Sequence, residues 1–362
     1  MTESAPERTM ALGGGGGVPP ADAPPGEVRV GLYRDGHRQR ETRSLAEAGE
    51  AVHTGSGLMA WVSMSAPNRE QLLDAAHHFD LPRLALEDAI VAHQRPKVET
   101  YGDVLFVVLR PARYDQEREL VEVGEVHVFG SRDFVITIRH TEQVDFEAVR
   151  SRLEAEPGML AHGTPAVVYG VLDQVVDAYA PAIAGLQDDI DEVENEVFAG
   201  DRDASRRTYR LARQAIRLQR AIDPLDELLD HLMAPLERPE RAGSHLLPRP
   251  GPEHRTELYH YLRDVADHVR ATREHADSFR QLLENITEVH SALISQAQNE
   301  AMKKISSWGG ILVVPTLISS VFGMNISPQP GFHWVFSWPL VLSLMLLSAL
   351  LLYVLFRRNG WL

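Results

Sequence analysis

The stretch that decides the fold is Ile305–Phe356, "ISSWGGILVVPTLISSVFGMNISPQPGFHWVFSWPLVLSLMLLSALLLYVLF". It carries no Lys, Arg, Asp or Glu. Two apolar runs lie in it, Ile305–Phe322 and Trp334–Phe356, and each is about long enough to cross a bilayer as a helix. Lys303 and Lys304 precede the first run, and Arg357 and Arg358 follow the second. The connecting segment, residues 326–333, has no Lys or Arg. Cationic flanks are retained on the cytoplasmic side, so both chain ends are expected in the cytoplasm and the short loop outside, in a cell membrane crossed twice.

Working outward, the chain from Glu253 reaches Pro315 without another proline. Leu258, Tyr261, Leu262, Val265, Val269, Phe279, Leu282, Leu283, Ile286, Val289 and Leu293 recur in it at helical spacing. One helix is predicted from about residue 253 to about residue 324, roughly 105 Å at 1.5 Å per residue. Residues 165–238 predict two long helices broken near Gly200-Asp201, and "PERAGSHLLPRPGP" after them reads as a loop. Further upstream, "EVRVGLY", "LMAWVSM", "VLFVVLRPARY", "VGEVHVFG" and "DFVITIRH" are rich in β-branched and aromatic residues bounded by turn formers, and predict strands. "NREQLLDAAHHFDL", "PRLALEDAIVAH" and "DFEAVRSRLEAE" have helical spacing.

The fold class that follows is α+β. A disordered tail (1–27) precedes an α/β domain (28–170) and a long helical pair (171–252). The stalk helix (253–304) leads to a first span (305–325), the outer loop (326–333), a second span (334–356) and a short cytoplasmic tail (357–362). The tail's "GGGGG" lacks the Lys-Ser/Thr and preceding strand of a phosphate loop, and it lacks the charged start of a signal peptide.

Composition excludes several functions. The chain has 362 residues and a net charge of -15, which argues against nucleic acid and suits cations as partners. It has no cysteine, hence no disulfide and no thiolate metal site. Nucleophile motifs, zinc-hydrolase motifs and phosphate loops are missing from the sequence, so an enzyme is not expected, nor any organic cofactor. His254, His260, His268 and His275 have no tight ligand spacing.

The first span carries a pattern of its own. Asn299, Met302, Ser306, Gly309, Val313, Thr316 and Ser320 fall at alternating steps of three and four, on one helix face. Small and polar residues on a membrane helix mean either close helix packing or a wet lumen, and the pattern alone leaves both open.

Gly323-Met324-Asn325 closes that span. With "QNEAMKKISSWGGILVVPTLISSVFGMN", "LEDAIVAHQRPKVETYGDVLFVVLRP", "YHYLRDVADH" and "FRRNGWL", the chain resembles the CorA family of two-span metal-ion transporters from about residue 28 to its end. The resemblance implies a homopentamer in the lipid bilayer, with five first spans around a pore. It implies a selectivity filter at Gly323, Met324 and Asn325, whose amide oxygens bind hydrated Mg2+ without stripping its water. Asn299, Met302, Ile305, Ser306, Gly309, Val313, Thr316 and Ser320 would line the pore, with Met302, Ile305 and Val313 as an apolar neck. Lys303, Lys304, Arg357 and Arg358 would form a basic ring. Regulatory Mg2+ would be shared between subunits by Glu87 and Asp88 on one side and Asp264 on the other, while Asp188, Asp189, Asp191 and Glu192 read as a solvated face.

The implied activity is entry of Mg2+, with Co2+ or Ni2+ as further cargo, gated by internal Mg2+. The chain departs from the family in its outer loop, "ISPQPGFHW", which has no carboxylate where the family has an acidic residue, often as "MPEL". This leaves a Zn2+ transporter of the same fold open. A non-conducting membrane-anchored sensor or scaffold is the other class of function, and flux measurement separates it.

Overall fold

The computed structural model describes residues 25–54, 57–92, 94–201, 203–237, 252–323 and 337–362. The chain divides into two compact units, residues 1–284 and residues 285–362.

The first unit is built on a seven-stranded sheet. Its strands are β1 (Glu27–Arg34), β2 (His37–Thr42), β3 (Met59–Ser65), β4 (Lys97–Tyr101), β5 (Val104–Leu109), β8 (Val126–Gly130) and β9 (Phe134–Arg139), with β6 (Ala112–Asp115) and β7 (Leu120–Val123) forming a separate antiparallel hairpin. The order is β2-β1-β3-β9-β8-β5-β4. Only β3 and β9 pair in parallel, Ala60 opposite Phe134 and Ser65 opposite Arg139. A parallel pair needs a crossover, and the two helices and five strands between β3 and β9 supply it.

Two helical layers cover the sheet. On one face lie α1 (Leu45–His53), α2 (Arg69–Phe79) and α3 (Arg83–Val91). Leu45, Ala48, Leu72, Ala75, Phe79, Ala85 and Ala89 interlock there with Val62, Met64, Phe106 and Ile136. α2 starts at a reciprocal cap in which Asn68 accepts from the Gln71 N–H and the Gln71 side chain accepts from the Asn68 N–H. On the other face lie α4 (Phe146–Ala155), the short α5 (Pro157–Leu160) and α6 (Thr164–Asp177). Arg150 of α4 is buried there, donating to Tyr33 Oη at 2.8 Å and Ser63 Oγ at 2.7 Å, with its guanidinium 4.4 Å above the Trp61 ring.

The expected helical pair is four helices: α6, then α7 (Tyr179–Ala199), α8 (Ala204–Ile222) and α9 (Leu225–Glu237). The break at Gly200 is present, with Gly200 in the left-handed region. Two further breaks come from prolines. Pro181 cannot donate to Asp177, nor Pro224 to Arg220, so the ladder is interrupted before each. Three strands lie outside the predicted set. β2 (HRQRET) is a polar edge strand without the alternation that marks burial, and β4 and β7 are too short and polar to signal. The Arg110-Pro111 pair also divides "VLFVVLRPARY" between β5 and β6.

The helix predicted from residue 253 is α10, Pro252–Phe322, 71 residues long. Within the first unit its stripe Leu258, Leu262, Val265, Val269, Ala276, Phe279 and Leu283 is buried. It meets α6 through the Tyr169–Tyr261 ring pair at 5.2 Å, α8 through Gln219 and Asp277, and α9 through Arg273 and Asp226.

The second unit holds residues 285–322 of α10 and α11, Ser337–Arg358. Both helices are long and apolar enough to cross a membrane. α10 continues through Pro315, although that residue leaves the Ile311 carbonyl without its ladder partner. Proline inside such a span is tolerated because neighbours re-satisfy the freed group. α11 ends in a Schellman cap. Gly360 adopts φ 68°, Trp361 N–H donates to Phe356 O at 2.9 Å, Gly360 N–H donates to Arg357 O at 3.3 Å, and the Trp361 ring stacks on Phe356 at 5.7 Å. The predicted tail up to residue 24, most of the 239–252 loop, Met324, Asn325, the outer loop and Trp334 to Phe336 lie outside the described residues.

Candidate functional site

Two sets of residues matter, the stripe on the first apolar span and the carboxylates of the first unit. At about 100° per residue, Ser307, Gly310 and Ile311 share one side of α10. Ser307 and Ile311 are buried, and a Cβ added to Gly310 would sit 3.5 Å from the Phe356 ring of α11. The stripe Met302, Ser306, Gly309, Val313, Thr316 and Ser320 points roughly the opposite way. All six are exposed, as are Asn299 and Ile305; Met302 is 62% and Ile305 67% accessible. A Cβ at Gly309 would meet nothing within 4 Å. Packing between the two spans of one chain therefore uses the face away from the stripe, and the stripe is left without a partner.

Two hydroxyls on that stripe, those of Thr316 and Ser320, have a fixed polarity. Thr316 Oγ1 donates to Leu312 O at 2.7 Å, and Ser320 Oγ donates to Thr316 O at 3.0 Å. With each proton committed to the helix's own carbonyl, the outward lone pairs accept only. Acceptors are what the water shell of a cation requires, since its hydrogens point outward. Gly323 follows the last turn, its N–H donating to Ser319 O at 2.9 Å. Lys303, Lys304, Arg357 and Arg358 are all exposed, and no Asp or Glu occurs after Glu300.

In the first unit, Glu87 stands exposed on α3. Its neighbour Asp88 is half-buried and engaged: Lys97 Nζ donates to it at 2.7 Å and Gln94 Nε2 at 3.4 Å. Lys97 also donates to Glu99 at 2.8 Å. Burial pulls the Lys97 ammonium pKa down, yet the two carboxylate bonds outweigh it and the net shift is upward. Asp264 is exposed on α10. It lies in the field of Tyr169, whose hydroxyl is pushed up to about 12 by burial first and then by Asp173, Tyr261 and Asp264.

Around Asp264 the fold gathers groups that the sequence reading left scattered. Asp173 is buried and accepts from Arg152 at 2.6 Å. Its pKa is raised by burial and by Asp177, against the opposing pull of Arg152 and His268. Asp173 with Asp177, and Asp264 with His268, each stand four residues apart on a helix, a same-face signal that spacing alone could have flagged. Within one chain, no hydrogen bond or ion pair among the described residues joins Glu87 or Asp88 to Asp264. Likewise no three His, Asp or Glu side chains among them converge on one point. The acidic face of α7 is not simply solvated: Asp189 is buried and receives Arg207 at 3.1 Å.

An exposed acceptor stripe on a membrane-type helix and an acidic α/β unit can be set beside known proteins. The chain is 27% identical over 310 residues to the cobalt/magnesium transport protein CorA of Thermotoga maritima, spanning 85% of this chain and 84% of that protein. It is 26% identical over 313 residues to the putative metal ion transporter YfjQ of Bacillus subtilis, spanning 83% and 89%. The fold matches the complete CorA magnesium transporter structure from Methanocaldococcus jannaschii with a TM-score of 0.67 at 19% identity, covering 84% of this chain and 92% of that one. It also matches full-length CmaX with a TM-score of 0.66 at 18% identity, covering 94% and 100%. The family described as CorA-like Mg2+ transporter protein matches residues 56–358, which takes in the α/β unit from β3 onward and both apolar helices, and the chain belongs to that family.

Proposed function

We propose that the chain forms a homopentameric, two-span channel that admits Mg2+, with Co2+ or Ni2+ as competing cargo. The observation that carries this reading is the exposed stripe from Asn299 to Ser320, opposite the face that α11 covers. Five copies arranged about an axis would turn that stripe inward. Thr316 and Ser320 would then offer rings of acceptors, and Met302, Ile305 and Val313 an apolar neck that blocks ions when dry. Asn325 beyond Gly323 is the proposed filter, where a ring of amide oxygens and the negative helix ends favour a hydrated cation. Chain ends in the cytoplasm follow from the placement of Lys303, Lys304, Arg357 and Arg358.

Gating is assigned to Glu87, Asp88 and Asp264. Their oxygens are the hard donors that Mg2+ takes. They do not meet within one chain, which fits a cation shared between subunits. Such an ion closes the gate only if it binds the closed state better, and about 1–3 kcal/mol of coupling per bridge suffices. Asp88 is the guarded member, since Lys97 must release it first.

The test is flux into proteoliposomes with Mg2+, Co2+, Ni2+ and Zn2+ in competition, beside the mass of the detergent complex. Expected are Mg2+ entry, a complex of about five chains, and loss of entry in Asn325→Ala with the complex intact. Undiminished entry in that variant would remove the filter assignment. A folded complex with no flux of any of the four ions would leave the sensor or scaffold reading.

A further inference from the structure

The acidic α7 and basic α8 carry more charge than they use on each other. From Tyr179 to Ala199 α7 has six carboxylates and no cation; from Ala204 to Ile222 α8 has six arginines and no acid. Part of this is settled inside the chain. Arg207 is nearly buried and binds Asp189 at 3.1 Å, Glu192 at 2.6 Å, Glu196 at 2.5 Å and Glu119 at 2.7 Å. Arg210 shares Glu119 at 3.2 Å, and Arg217 donates to Val121 O at 3.0 Å.

What remains is patterned. Arg206, Arg213 and Arg220 are exposed, and among the described residues none of them pairs with a carboxylate. Tyr209 and Ile216 stand between them, 67% and 38% accessible. Arg206, Tyr209, Arg213, Ile216 and Arg220 follow steps of three and four over two heptads, about 21 Å of helix. On α7, Ala184, Asp188, Asp191, Asn195 and Phe198 form a second exposed seam with the same step, acidic at its centre, with Phe198 63% accessible at one end. A seam at 3.5-residue spacing that mixes apolar side chains with unpaired charge of one sign is the shape a partner helix takes.

We propose that the basic seam of α8 docks on the acidic seam of α7 in a second copy of this chain. The complementary surface is on the chain itself, and the two seams belong to different helices. Each copy therefore offers one of each, a head-to-tail contact that repeats around a closed ring. This rests on the oligomeric reading above, and places one of its contacts on a pair of helices remote in sequence from the pore and from Glu87, Asp88 and Asp264.

The chain has no cysteine, so single thiols report contacts cleanly. Two full-length versions with different tags, one Asp191→Cys and one Arg213→Cys, are co-assembled and oxidised. A disulfide joining the two tags is expected, and none when both versions carry Asp191→Cys. The triple variant Arg206→Glu, Arg213→Glu, Arg220→Glu should fall apart at a protein concentration at least tenfold higher than the parent. Adding Asp188→Arg and Asp191→Arg to the same chain should recover most of that loss. Because screening weakens exposed charge pairs, the tenfold difference should shrink at 1 M salt. An oligomer of parental mass without the mixed disulfide overturns this contact and leaves the oligomer standing; a monomeric parent overturns the oligomer itself. Loss of binding to phosphatidylglycerol vesicles in the triple variant, without the mixed disulfide, would assign the arginine seam to a membrane surface instead and also overturn the proposal. If the triple variant does not fold, the disulfide result decides.

Discussion

α10 runs the same step of three and four in both units, with opposite outcomes. In residues 252–284 the stripe is Leu258, Leu262, Val265, Val269, Phe279 and Leu283, and the chain's own α6, α8 and α9 bury it. In residues 285–322 the stripe is Asn299, Met302, Ser306, Gly309, Val313, Thr316 and Ser320, and it is exposed. One periodicity thus encodes two tasks. Where the side chains are large and apolar, the stripe is a core that one chain completes. Where they are small or polar, it is a surface that one chain leaves open.

The sharpest way to break this contrast is paired substitution. Phe279→Ala empties a fully buried site and should cost about 3–5 kcal/mol, read as a fall in the unfolding midpoint of the first unit. Ile305→Ala removes an exposed apolar side chain beside the open stripe and should stay within about 0.5 kcal/mol while altering flux. Equal destabilisation by both would mean that the open stripe is packed after all.

A smaller effect is expected at the turn of charge in the first unit. Arg207→Ala leaves buried Asp189 with the Tyr114 hydroxyl but no cation, and Glu119 with Arg210 alone, and should cost about 2–3 kcal/mol, whereas Arg213→Ala on the exposed seam should leave the fold unchanged and weaken only association. In the membrane unit, a Cβ at Gly310 already touches Phe356, so the rest of a Leu side chain in Gly310→Leu must displace that ring and should cost about 1–3 kcal/mol, while Gly309→Leu starts from a Cβ with nothing within 4 Å and should act chiefly on flux.

Lys97→Gln tests the guarded carboxylate. The Lys97–Asp88 pair is partly exposed and worth about 1 kcal/mol, so its loss should raise the apparent affinity for regulatory Mg2+ a few-fold without changing the unblocked rate. Asp264→Ala should instead leave flux unblocked at millimolar internal Mg2+. Unchanged Mg2+ responses in both would move the sensor elsewhere.

The smallest effect is an acid limb in stability. Burial pushes the Glu125 carboxyl pKa up, but the His127 bond at 2.7 Å, the Gln94 N–H and Arg110 outweigh it and the net shift is downward. A depressed carboxyl pKa contributes stability that is present above its unfolded value near 4.5 and lost as pH falls through the folded value. Glu125→Gln should flatten the unfolding midpoint below about pH 4.5 relative to the parent. The open stripe has no titratable group, so the same titration should leave the second unit's helices in place.

The sequence by itself determined the two apolar spans, the single long helix and most of the strands. Each depends on a local property: charge-free length, a 3–4 repeat, or alternation of β-branched residues. It also determined the acceptor stripe and the family, because Gly323-Met324-Asn325 stands at the end of the right kind of run. It could not place β2, since a polar edge strand is held by its neighbour's backbone rather than by its own side chains. It could not divide 165–238 into four, because helical spacing continues across Pro181 and Pro224 while the backbone ladder does not. Only the tertiary structure decided that α11 covers Gly310 and leaves Gly309 open, since two glycines side by side have the same composition and opposite surroundings. The same holds for Asp88 and Glu87, adjacent carboxylates of which one is held by Lys97 and the other faces water. Charge and size are written in the chain; which charge is engaged, and which face is open, depends on what folding brings alongside.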